Sequence, residues 1–333
     1  MCSRRRFLDL IIASALSFLF TVALLYATLE VPRVVHALLI KVFPDWGLHF
    51  EMEKMRETIE SLRPIGYVTF VTVLILIIIG FVFGRTRISS LGSIGLYLPV
   101  FGQFAFSMFF LAGIGVLRAL WLPILDVSPK ILRLGDIVYV PYTILIFLLE
   151  HMFRLMGVHL PPTKFEAAPS LMIMLLGLLI FLLGATTWLY GKFRGHRIID
   201  FWIYRFSRHP QYLGLIIWSY GLLTSMAINL KLDVWARIPP PSLLWLILTL
   251  TLIGSALNEE NSLTKKYGEE YVKYRAETPF MIPLPKPLIN LLTIPVKALF
   301  GKNIPEHRRE IIGTLLIYGL ILALLSTPIA LRS

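Results

Sequence analysis

Apolar stretches about as long as a membrane-crossing helix recur along the chain, and they limit its possible folds more than any other feature. An α-helix rises 1.5 Å per residue, so about 20 apolar residues cover a hydrocarbon layer of ~30 Å. Such stretches occupy residues 7–29, 65–84, 97–121, 137–157, 170–190, 212–229, 242–259 and 311–331. About eight spans are therefore expected. Backbone polar groups in lipid must be satisfied inside a helix or a closed barrel. At this length of run the fold class is all-α, a polytopic transmembrane helical protein. Composition agrees: 16% of residues are charged, where a soluble domain has about 25%.

The charged residues are unbalanced, with 32 Lys and Arg against 20 Asp and Glu, a net charge of +12. In a membrane protein such an excess belongs in loops beside anionic headgroups. The expected partner is the lipid bilayer, with no nucleic acid. Arg4, Arg5 and Arg6 precede the first apolar run, Phe7 to Leu29, which is too long for a cleaved signal and reads as a retained signal anchor. Residues 30–64 mix charge with a short apolar patch, Val34 to Phe43, and Glu51 to Arg63 alternates sign like a solvated or interfacial helix. Residues 191–211 carry Lys192, Arg194, Arg197, Arg205 and Arg208 against the single acid Asp200, which predicts a cytoplasmic loop in the cell membrane. Five spans before that loop would put the Arg-rich N-terminus on the other side. Either 31–44 dips into the membrane, or one segment is re-entrant, or the N-terminus lies outside. The single cysteine, Cys2, excludes an intramolecular disulfide, and the scattered histidines lack metal-ligand spacing. No metal is implied, and no oligomeric state is set.

Two apolar arms, Tyr212 to Asn229 and Ser242 to Glu259, flank a short segment that ends Pro239-Pro240-Pro241 and read as a helical hairpin. Ser242 follows prolines that cannot continue a helix and suits an N-cap. Arms of equal length put His209 and Glu259 at one membrane depth. No proline interrupts 242–278, so the second helix can run past the bilayer to about Tyr267, where Gly268 allows a break. The segment YRFSRHPQYLG (204–214) is the densest polar cluster at a membrane boundary. Pro210 fits the first turn of a helix, whose free amides attract anions. Facing it, the adjacent carboxylates Glu259 and Glu260 repel one another unless cations or hydroxyl donors share the site. A ligand bearing both an anionic group and cationic or hydroxyl groups would satisfy this amphoteric cup, and S-adenosylmethionine is one.

RHPQYLG (208–214), a hairpin, and then EENSLTKKYGEEYVKY (259–274) with Pro279 and Pro283 behind it resemble the isoprenylcysteine carboxyl methyltransferase and phospholipid methyltransferase superfamily. The likeness covers about 170–285, and the two-part pattern is more specific than either half. The chain is accordingly expected to divide into an N-terminal helical region without an assigned role (1–165), a methyltransferase-like catalytic core that holds the likeness (166–285), and a C-terminal interfacial segment with a last span (286–333). The likeness implies an integral membrane methyltransferase that uses S-adenosylmethionine on a lipid-like or prenylated acceptor. Carried over by position, the cofactor-binding residues are Tyr204, Arg208, His209, Pro210, Tyr212, Gly214, Glu259 and Glu260. Arg208 and His209 would hold the cofactor carboxylate, Tyr212 would pack on it, and the glutamates would take its ammonium or ribose hydroxyls. Ser255 and Trp218 are acceptor-binding candidates, and no general base is assigned.

Two departures bear on the acceptor. Carboxyl methyltransferases of this superfamily commonly carry an arginine where this chain has Ser255, and another where it has Glu277. A carboxylate acceptor would lose its counter-ion. A phospholipid amine N-methyltransferase is thus an alternative. Another is a sterol-type membrane reductase that uses NADPH, since that group shares an HPxYxG segment and a later KYG. A transporter or scaffold is the non-enzymatic alternative, although neither inverted repeats nor polar broken helices are visible. Glu150 and His151, inside an apolar run, are weaker functional candidates because Arg154 closes the same segment.

Overall fold

The computed structural model describes residues 2–43, 52–105, 113–157, 162–232 and 241–332. Every regular element among them is helical: α1 (Cys2–Leu39), α2 (Met52–Val82), α3 (Thr86–Ala105), α4 (Leu122–Val127), α5 (Val140–Leu155), α6 (Pro162–Phe193), α7 (Pro210–Leu232), α8 (Ser242–Tyr267), α9 (Glu269–Glu277), α10 (Lys286–Phe300) and α11 (Arg308–Arg332), with short 3-10 segments between some of them. The class is all-α, as the length of the apolar runs led one to expect. Six stretches among the described residues are long and apolar enough to cross a membrane: Arg6–Leu39, Arg56–Val82, Asp136–Leu155, Ala168–Phe193, Ser242–Tyr267 and Arg308–Leu331. Several such helices mark an integral membrane protein.

Local chemistry explains where the helices begin and end. α7 opens on Pro210, where a missing N–H costs nothing. α8 runs unbroken to Tyr267, and Gly268 then takes φ +57, a conformation that L side chains rarely adopt, before α9 starts at Glu269. Both features match the sequence expectation. Three others do not. Within the run 97–121, α3 is described as far as Ala105 and Gly113–Trp121 is a 3-10 segment rather than part of an α-helix, while residues 106–112 lie outside the described residues. Tyr97, Val100 and Trp121 are fully buried, and the Trp121 indole donates to Leu96 O at 3.1 Å, so both described ends of this stretch pack against protein. The helix expected over 51–63 is continuous with the following span as α2, through Pro64. Ser242 does not cap α8 with its hydroxyl, which lies 2.6 Å from the buried Asp136 carboxylate. Residues 233–240, with two of the three hairpin prolines, and His49 and His159 lie outside the described residues.

The chain forms two compact units. One comprises Tyr26–Met172, Tyr220–Thr251 and Tyr318–Ser333. Inside it Gly80 and Gly92 let α2 and α3 pack backbone to backbone, and an Arg63–Asp126 ion pair, joined by the Tyr67 hydroxyl at 2.8 Å, ties α2 to α4. The same unit buries Asp136 against Arg133 Nε at 2.8 Å.

The other unit comprises Met1–Leu25, Ile173–Ser219 and Leu252–Ile317. Here α6 and α7 approach closely through glycines. A Cβ added at Gly177 would lie 2.3 Å from Trp218 N, and one at Gly214 would lie 2.6 Å from Phe181 N. Small residues at a contact between membrane helices permit this approach, and dispersion then holds the pair. The close pair fixes the start of α7 against the C-terminal half of α6.

Candidate functional site

The RHP turn is buried by its own ion pair. Arg208, at 8% exposure, directs Nε at Glu260 Oε1 (2.6 Å) and Nη2 at Glu260 Oε2 (3.3 Å). Its Nη1 donates to the carbonyls of Arg275 and Thr278 at 2.5 and 2.6 Å. These bonds use four of the five guanidinium hydrogens. His209 Nε2 lies 3.1 Å from Glu260 Oε1, and the Arg208 amide donates to Pro279 O at 3.0 Å. Phe280 closes the cluster, 5.2 Å from the imidazole and 5.7 Å from the guanidinium carbon. Two stretches fifty residues apart in sequence, together with the chain that leaves α9, are thus locked into one clasp.

A cleft opens beside the clasp, enclosing about 650 Å³ of non-atom space including its mouth. Tyr204, Arg208, His209, Tyr212 and Glu259 all line it. Sequence reasoning placed these five together, and the structure brings them together. Glu260 is 1% exposed and is not in the wall; both its oxygens face Arg208 and His209. Of the two glutamates, only Glu259 lines the cleft. Successive helical residues point about 100° apart, so Glu259 faces the cleft while Glu260 faces the protein. Arg208 and His209 border the cleft, but the Arg208 guanidinium is held by Glu260 and the Arg275 and Thr278 carbonyls, and His209 Nε2 sits beside Glu260. Pro210 and Gly214 are also absent from the wall. The first begins α7, and the second is pressed against α6 backbone. Trp218 and Ser255 are buried and do not line the cleft.

Several wall residues were not anticipated. Trp188 and Lys192 come from the last turns of α6, Arg197 from the loop after it, and Leu263, Tyr267, Tyr271 and Tyr274 from α8 and α9. A signal for the last group was present: Glu259, Leu263 and Tyr267 stand four residues apart on one helical stripe, which Tyr271 and Tyr274 extend beyond Gly268. The cations rest on aromatic faces, Lys192 Nζ 5.7 Å from the Trp188 ring and Arg197 Cζ 5.5 Å from Tyr267. Both are exposed, and Arg197 also meets Glu270 at 3.7 Å.

Burial pushes the Tyr204, Tyr271 and Tyr274 phenols well above the ordinary tyrosine value, and nearby carboxylates, Glu259 in the case of Tyr204, add to the shift. These hydroxyls therefore stay protonated and act as donors; Tyr274 OH donates to Tyr204 O at 2.9 Å, fixing the turn that carries Tyr204. Trp202, two residues earlier, holds φ +50 and stacks on Tyr190 with ring centroids 5.0 Å apart. The cleft thus offers one exposed carboxylate, two exposed cations, and a wall to which one tryptophan and five tyrosines contribute. Among the described residues, no three His, Cys, Asp or Glu side chains form a metal-binding group.

Residues 145–278, which include the cleft wall and the Arg208–His209–Glu260 cluster, match a family described as a protein of unknown function (DUF1295). No curated protein and no solved structure matches the chain. The family description assigns no activity.

Proposed function

We propose that the chain is an integral membrane methyltransferase that takes S-adenosylmethionine in the Glu259 cleft and methylates a lipid-like acceptor. The observation that carries the reading is the opposed charge of the wall. Glu259 stands among Tyr204, Tyr212 and Tyr267, while Lys192 and Arg197 stand at the α6 side of the same space. A carboxylate within aromatic rings suits a cation, and exposed Lys and Arg suit a carboxylate. S-adenosylmethionine bears both charges and a flat base. The residues present fit it, with one change from the family pattern: Lys192 and Arg197, rather than Arg208 and His209, would hold its carboxylate. Glu259 would hold its ammonium or ribose hydroxyls, and Tyr212 would pack on it.

When bound, the cofactor supplies a methyl group on a sulfonium. The chain supplies alignment of donor and acceptor and a wall that excludes water, which are the main sources of rate for an in-line transfer. Ser255 and Glu277, standing where carboxyl methyltransferases commonly carry arginines, favour an amine of a phospholipid over the carboxylate of a prenylated cysteine as acceptor. The test is incorporation of labelled methyl from S-adenosylmethionine into total lipid extract and, separately, into prenylcysteine analogues. Label in an amine lipid is expected. The absence of label from both substrates, with NADPH rather than S-adenosylmethionine raising the thermal midpoint, would replace the reading with the reductase.

A further inference from the structure

α10 differs from the other long helices. Its 15 residues span about 22 Å at 1.5 Å each, too short for a ~30 Å hydrocarbon layer. Its ends are fixed by Pro285 before it and by Gly301, at φ +68, after it. At 3.6 residues per turn, Leu288, Leu292 and Leu299 fall on one line of the helix, and Lys286, Asn290 and Lys297 fall on the opposite line. A third line docks on protein: Val296 is 4% exposed, and a Cβ at Gly313 on α11 would lie 2.7 Å from the Phe300 ring. The leucine line is exposed, Leu292 at 47% and Leu299 at 53%, and Leu291 beside it at 60%. From Thr278 to Asn303 the chain carries Lys286, Lys297 and Lys302 and no acid.

We infer that α10 lies flat in the bilayer interface, with Leu288, Leu292 and Leu299 in the acyl chains and Lys286, Asn290 and Lys297 among the phospholipid phosphates. The occupant of the leucine face is set by what the helix touches. Phe300 packs on the second turn of α11, a helix of membrane-spanning length that starts at Arg308, so α10 ends beside the point where the chain enters the bilayer. Cations opposite an apolar stripe on a non-spanning helix are the arrangement of an interfacial helix, buried about 5–10 Å into the headgroup boundary. The linker into α10 contains Pro279, Pro283 and Pro285 and starts at the carbonyls that hold Arg208. A docked α10 therefore also tethers the clasp to the headgroup level. The inference stands independently of the reaction proposed above.

The chain has one native cysteine, so a Cys2→Ser background permits single labelling sites. Leu292→Cys, Leu299→Cys and Asn290→Cys, each carrying an environment-sensitive fluorophore, would be compared in full-length protein in phosphatidylcholine–phosphatidylglycerol nanodiscs with shallow spin-labelled lipid. Quenching about threefold stronger at 292 and 299 than at 290 is expected for a helix with one face in lipid. Equal quenching at all three sites would overturn the inference. So would leucine sites that escape lipid quenching but transfer excitation between copies, which would make this face a contact with a second chain.

Discussion

Glu260→Ala is expected to lower the stability of the unit that holds the clasp by about 3–5 kcal/mol, the usual cost of leaving one partner of a buried ion pair uncompensated. Arg208 would retain the Arg275 and Thr278 carbonyls but lose both carboxylate oxygens, at a site where it is 8% exposed. Glu260→Gln keeps an acceptor oxygen and should lose less. A paired Arg208→Met/Glu260→Met replacement should recover much of the loss, because an apolar pair of similar volume carries no desolvation cost. Thermal unfolding in detergent micelles measures the series. A Glu260→Ala midpoint equal to that of the unmodified chain would mean that the clasp does not hold the RHP turn.

Gly214→Val is the second large effect. An added Cβ would meet Phe181 N at 2.6 Å, Gly177 O at 2.8 Å and Phe181 Cα at 2.9 Å, all backbone atoms that cannot rotate away. α6 and α7 would have to separate, and overpacking typically costs about 1–3 kcal/mol even where side chains can adjust. The start of α7 would move from the α6 turns that carry Trp188 and Lys192, so ligand binding should fall along with stability. Gly313→Ala is the control. Its Cβ meets the tip of the Phe300 ring at 2.7 Å, a side chain that can swing, so its midpoint should change far less. Equal losses at the two positions would contradict the backbone-contact account.

Much of this arrangement is legible in the residues. Pro210 as a helix start, the unbroken second arm to Tyr267 and the break at Gly268 follow from backbone chemistry alone. The meeting of 204–212 with 259–274 follows from arms of equal length. The division between Glu259 and Glu260 was open to the same reasoning, since adjacent helical residues cannot share a face. It was obscured because a double-glutamate motif reads as a unit. Lys192 and Arg197 were legible as charge but not as wall residues, because a loop's path depends on tertiary contacts such as Trp202 on Tyr190. At the two ends of the run 97–121 hydropathy does not decide the surroundings, because it is the same for a residue against lipid and one against protein, and Tyr97 and Trp121 face protein.

The central claim is that the Glu259 cleft is a cofactor site, and calorimetry of S-adenosylmethionine with the full chain and its Glu259→Gln variant tests it most directly. Glu259 is exposed and outside the clasp, so the variant should keep its thermal midpoint and lose at least tenfold in affinity, the change that corresponds to about 1.4 kcal/mol. Unchanged affinity in a variant of unchanged stability would contradict the account.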